Sequence, residues 1–173
     1  MARIVIADAG PLIALARINQ IDLLNDLFGP VKVTSVVADE VLRGGDFPDA
    51  SLLSQAFSQT MLWRVTRQSQ DNLSQAKSLM NLYQIDEGEA SSMVLAQQAQ
   101  TEGDQALLIM DDWRGRSAAQ HAGLPVVGTV GVLLLAKQQG QVKHIKPLLL
   151  DLHQHGYFLS QRLIDSALEQ AGE

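Results

Sequence analysis

At 173 residues with 46% hydrophobic content, the chain can bury one substantial core, and a single domain is expected, with an α/β core over 1–140 and a helical extension over 141–173. The absence of cysteine excludes disulfides and thiolate zinc sites. A net charge of −6 argues against a general nucleic-acid binder, which carries excess Lys and Arg to displace counterions. That objection weakens if acids gather round metal ions, because the remaining surface is then closer to neutral and the ions themselves attract phosphate.

The first element is an uninterrupted apolar run, Ile4-Val-Ile-Ala7, the pattern of a strand covered on both faces, and it ends in Asp8. Pro11 is favoured as the first residue of the next helix, which would put Gly10 at the capping position and leave Asp8 before it. In an open parallel sheet, ligands bind beyond the carboxyl ends of the strands, so Asp8 stands where chemistry is usually done. Asp8 also interrupts the only run resembling a secretory leader, and no run approaches the roughly 20 apolar residues of a membrane span. A cytoplasmic protein without membrane contact is expected.

Helices are expected over Pro11–Ile18 and Ile21–Phe28, the second stopped by Gly29-Pro30, then a short strand at Val31–Val33. Thr34 or Ser35 can cap the following helix, which should end at Arg43-Gly44-Gly45. At about 100° per residue from Val36, Val37 and Val41 fall at about 100° and about 140° and Glu40 at about 40°, so Glu40 is expected inside the apolar face and Asp39 away from it. A carboxylate among valines calls for a partner or a cation. Asp46–Asp49 reads as a loop, Ala50–Gln59 as a helix, Met61–Val65 as a strand and Gln68–Tyr83 as a surface helix.

Ile85 opens a helix running to about Gln100. Asp86 followed by Glu89 has capping-box spacing, a purely structural device, and periodicity does not choose among Asp86, Glu87 and Glu89 for any further role. Ala106–Met110 is a second apolar strand running into acid, Asp111-Asp112, with a helix from Trp113 to about Ala122. Asp112 can cap that helix, which leaves Asp111 as the site candidate and Asp112 in reserve. Like charges on neighbouring strand ends would need protonation or a divalent cation. Arg114 and Arg116 can hold substrate phosphate or pair with nearby acids. Gly123–Val127 gives a short last strand, and Gly128-Thr129 at the start of the helix Val130–Gln139 can touch phosphate through backbone N–H groups, which also leaves open a nucleotide- or small-molecule-binding α/β domain. Helices are expected at Val142–His155 and Ser160–Gln170, and the four histidines read as surface or helix-end residues.

Ile6-Ala-Asp8-Ala-Gly-Pro-Leu12, Val36-Val-Ala-Asp-Glu-Val41, Asp86-Glu-Gly-Glu-Ala90, Leu108-Ile-Met-Asp-Asp112 and Gly123–Thr129, in this order, resemble a PIN-domain protein. The similarity is greatest to a bacterial and archaeal PIN-like subgroup described as predicted nucleic-acid-binding proteins, some encoded in toxin–antitoxin-like pairs. The resemblance implies a three-layer α/β/α sandwich around a central, mostly parallel sheet of about five strands. It places the family's acids on Asp8, Glu40, Glu89 and Asp111, with Glu89 standing where most PIN nucleases carry Asp. It implies metal-dependent chemistry; Mg²⁺ or Mn²⁺ is the expected cofactor, held by those acids with Asp112 in reserve, and Arg114, Arg116 and Thr129 are the candidates for substrate contact by their positions in the chain. The implied activity is hydrolysis of RNA or another single-stranded nucleic acid; implied partners are an antitoxin protein and a second copy in a homodimer. A catalytically weak PIN-like nucleic-acid- or protein-binding module is the alternative.

Overall fold

The computed structural model describes residues 2–43, 48–65 and 69–173. Five parallel strands form its centre: β1 (Arg3–Ala7), β2 (Val31–Thr34), β3 (Leu62–Val65), β4 (Gln105–Ile109) and β5 (Val126–Val127), in the spatial order β3-β2-β1-β4-β5. The expected mostly parallel sheet is therefore parallel throughout. The chain winds outward from β1 to β2 and β3, then returns to lay β4 on the other side of β1. The order reverses between β1 and β4, and a crevice opens there beyond the strand ends. The pairing is in register from Arg3 opposite Gln105 to Ala7 opposite Ile109, and the Asp8 amide extends it by donating to the Ile109 carbonyl at 2.9 Å.

Both faces of the sheet are covered at its centre, which is why β1 and β4 carry continuous apolar runs, whereas the edge strand β3 leaves Trp63 and Arg64 exposed. Val5, Ala7 and Ile109 join one core cluster, with residues of α1 (Ala9–Arg17), α2 (Asp22–Phe28), α3 (Ser35–Leu42) and α4 (Pro48–Ser58). Ile6, Ala106 and Leu108, one position out of phase, join another, with α5 (Gln70–Tyr83), α6 (Glu87–Thr101) and α7 (Trp113–His121). The remaining helices, α8 (Thr129–Gln138), α9 (Lys146–Gln154) and α10 (Gln161–Ala171), add to the first cluster. This is the three-layer α/β/α sandwich.

Several boundaries differ from expectation, each for a local reason. Helix α1 begins at Ala9, so Asp8 rather than Gly10 is its N-cap residue, and Pro11 sits deeper in the first turn, where its missing N–H still costs nothing. Pro48 and Asp49 belong to α4, where Pro suits a first position; the rest of the expected loop, like the expected Gly44-Gly45 helix end, lies outside the described residues. The helix expected from Val142 begins only at Lys146, because Pro147 is tolerated in a first turn but not further in. Thr34, not Ser35, caps α3, accepting from the Val37 amide at 3.3 Å. All four histidines are exposed, as expected.

Candidate active site

Asp8 and Asp111 follow β1 and β4, the two strands that flank the reversal of order, and both face a cleft of about 590 Å³. Glu40 from α3, Asp86 and Glu89 from the start of α6, and Asp112 from the start of α7 line the same cleft. Acids from four separate stretches of chain thus share one opening. Gly88 helps to make this approach possible. A Cβ on it would stand 3.2 Å from Asp8 Oδ1, 3.3 Å from Asp86 Oδ1 and 3.4 Å from Glu40 Oε2, so a larger residue would press against three carboxylates at once.

Asp8 holds the N-cap position with an extended backbone, yet its side chain makes no capping bond. With no capping bond to hold them, its oxygens are open to the cleft. It is 8% exposed, and burial, reinforced by the charges of Asp86, Glu89 and Glu40, pushes its pKa up to about 7 against the pull of the Ala9 amide. Glu89, 4% exposed, is likewise pushed up to about 7, chiefly by burial and then by Asp86 and Asp112, with the Asp86 backbone pulling the other way. The capping box is formed in full: Glu89 N–H donates to Asp86 Oδ1 at 2.8 Å, and Asp86 N–H donates to Glu89 Oε2 at 3.0 Å. Glu89 therefore serves the helix start and faces the cleft together.

Glu40 corrects the sequence reading in part. It is exposed, not inside the apolar face; the buried residues of α3 are Val37, Ala38 and Val41, so the face is centred well away from Val36, and Glu40 lies on its flank. From that flank it reaches the cleft, and burial and Asp86 raise its pKa while Arg43 lowers it. Asp39 does point elsewhere, pairing with Arg64 at 2.6 Å.

Asp111 is the most tightly held acid. Thr129 N–H donates to its Oδ1 at 2.7 Å, Thr129 Oγ1 to its Oδ2 at 2.6 Å, and the Tyr157 hydroxyl also to Oδ2. Burial and the adjacent Asp111 charge hold the Tyr157 hydroxyl well above the ordinary phenol pKa, so it remains a donor. The phosphate contact expected of Thr129 gives way to this: the residue is fully buried and its donors are spent on Asp111. The nucleotide-binding reading of Gly128-Thr129 loses its basis with them. Asp112 caps α7, accepting from Arg114 N–H at 2.9 Å and Gly115 N–H at 3.2 Å, while also approaching Glu89 within hydrogen-bond reach. Arg114 stands on the rim of the cleft, and Arg116 lies beyond Asp111 in a neighbouring hollow.

Sequence reasoning gives Asp86 a capping role and leaves any further role undecided among Asp86, Glu87 and Glu89 until the resemblance selects Glu89, and it misses Tyr157 and Gly88. Gly88 is visible as the small residue between two acids, whereas Tyr157 carries no signal, because its partner is distant in the chain.

The donor set is oxygen only, and among the described residues no ion pair involves Asp8, Glu40, Asp86, Glu89, Asp111 or Asp112. Crowded carboxylates without a counter-charge fit a hard divalent cation. No three His, Asp or Glu among the described residues close into a compact cage, so a cation in this open cleft would keep much of its water shell.

A doubly covered parallel sheet with carboxylates gathered at its switch point defines a class, the α/β proteins that work from an acidic crevice at the strand ends. Within it, a family model described as a PIN domain matches residues 4–173, and the chain belongs to the PIN-domain family. PIN domains are nuclease-type modules, typically dependent on a divalent metal. No curated protein and no solved structure matches the chain. Among the described residues no helix is long and apolar enough to cross a membrane.

Proposed function

We propose that the chain is a metal-dependent ribonuclease that hydrolyses phosphodiester bonds within RNA. The observation that supports this best is the convergence of Asp8, Glu40 and Asp86 on the space left by the missing Cβ of Gly88, with burial and the neighbouring acids raising the pKa of Asp8 and of Glu89 to about 7. Asp8, Glu40, Glu89 and Asp111, supported by Asp86 and Asp112, would hold Mg²⁺ or Mn²⁺. Such ions, when bound, make an attacking water more acidic and offset charge on the departing oxygen. Thr129 and Tyr157 fix the direction in which Asp111 presents its carboxylate, and Arg114 at the rim is placed to meet substrate phosphate. A role as the toxin of a toxin–antitoxin pair belongs to this reading, with an antitoxin covering the acidic cleft.

The test is cleavage of single-stranded RNA by purified protein with Mg²⁺ or Mn²⁺. Asp8→Asn is expected to lower the rate at least about a hundredfold while leaving the circular dichroism spectrum unchanged. Equal cutting by wild type and variant would show contamination rather than catalysis at Asp8.

A second reading, a PIN-like binding module with little turnover, draws on Glu89, one of whose oxygens is committed to the Asp86 amide. It predicts metal and RNA binding without strand cleavage.

A further inference from the structure

A second hollow of about 780 Å³ runs beside the acidic cleft, with apolar walls from β5, α8 and α10. The two share Gly10, Asp111, Asp112 and Trp113, so a chain-like ligand crosses from one to the other without leaving the surface. The volume suits a ligand of a few rings rather than a protein fold.

Its lips carry the two most exposed aromatic rings among the described residues. Trp113, the first residue of α7, is 71% exposed on the shared wall, and Phe158, in the link between α9 and α10, is 85% exposed. The exposure of Phe158 is built in. On one side Tyr157 is anchored to Asp111 by its hydroxyl, and on the other Leu159 is buried in the core, so the ring between them is held outside. Arg116 lies on the same wall. Gly128 lets it lie close, since a Cβ there would meet its Nη1 at 2.5 Å. That guanidinium spends one donor on the Met110 carbonyl at 3.5 Å and pairs with no acid among the described residues, which leaves further donors for phosphate.

We propose that this hollow is the subsite for unstacked bases of a single-stranded nucleic acid next to the phosphate in the acidic cleft, with Phe158 and Trp113 as stacking platforms. The inference rests on the nuclease reading for what lies in the cleft. Flat exposed rings beside a free guanidinium match a polymer of alternating bases and phosphates, and duplex bases, already stacked, have no face to offer. Stacking of this kind tolerates any base, so little sequence preference is expected from it.

The experiment measures binding of a labelled single-stranded RNA oligonucleotide, and of its duplex, to the Asp8→Asn protein so that the strand is not cut. Phe158→Ala and Trp113→Ala, added singly, are each expected to raise the single-strand Kd about tenfold, and Phe158→Tyr to leave it unchanged. Both rings are exposed, so the thermal midpoint should not move. A single-strand Kd unaltered by both truncations overturns the subsite, and RNA cutting by protein with Asp8 intact, assayed separately, would then leave the nuclease reading standing. The tenfold effect in a protein whose wild type cuts nothing would instead uphold the subsite and remove the nuclease reading. If the truncations leave the Kd alone but turn a dimer into a monomer on gel filtration, the hollow is a contact between copies of this chain and the proposal fails.

Discussion

Asp8 is held where its charge is least welcome, and that has a measurable consequence. Its pKa rises from about 3.8 to about 7 on folding, so the folded state binds the proton more tightly than the unfolded one. Stability attributable to Asp8 is therefore greatest at low pH and is lost as pH rises from about 4 to about 7, where every tenfold difference in proton affinity between the two states is worth about 1.4 kcal/mol. Asp8→Asn removes the charge and keeps the shape. In metal-free buffer at pH 8 it is expected to melt several degrees above wild type, the gap closing below about pH 4; a variant less stable at pH 8 would mean the carboxylate is already compensated. Asp8 and Asp111 are legible in the sequence because an apolar strand running into an acid is a local pattern. Glu40 takes the wrong phase on a helical wheel started from Val36, because the fold leaves that residue only half-buried. Tyr157 is invisible because its partner Asp111 is 46 positions away, a proximity only the packed helical extension creates.

At the scale of elements, the sequence signals helices and strands well where caps and apolar period agree, as at Asp86 and Glu89, and badly where they conflict, as between Val142 and Pro147. Helix α9 shows why. It starts at Lys146 with Ile145 at its N-cap, and its orphan amides are met from elsewhere: Glu173 Oε1 accepts from Ile145 N–H at 2.7 Å and Oε2 from Lys146 N–H at 3.0 Å, while Lys137 Nζ donates to Oε1 at 2.6 Å. One side chain, 8% exposed, thereby ties α10 to α8 and α9. These donors hold the Glu173 carboxyl down at about 2, the Lys137 hydrogen bond first among them. A depressed acid stabilises the fold fully above its unfolded pKa of about 4.5, and the contribution is lost as pH falls from there towards about 2. Glu173→Gln should lower the melting temperature at pH 7 and have little effect at or below about pH 2, as read by thermal scans at both. A loss of equal size at both values would place the effect in packing rather than charge.

At the scale of the molecule, a chain of net charge −6 accumulates six acids round one cleft beyond the ends of β1 and β4, where the strand order reverses. Such an arrangement is destabilising by itself, and a cation that binds only the folded chain should offset it. Mass action gives about 2.7 kcal/mol at a metal concentration about a hundredfold above Kd. For a protein of this size each kcal/mol moves the midpoint by roughly 2–4 °C, so saturating Mn²⁺ or Mg²⁺ is expected to raise it by roughly 5–10 °C. Ionic strength must be matched with a monovalent salt, because general screening also relieves crowded charge. Asp8→Asn should lose most of the metal-induced shift while starting from the higher metal-free midpoint. The two effects thus run in opposite directions, which separates ligation from simple relief of repulsion. Equal shifts in wild type and variant would mean that the cation binds elsewhere on the acidic surface, and the cleft would then have no claim to the metal.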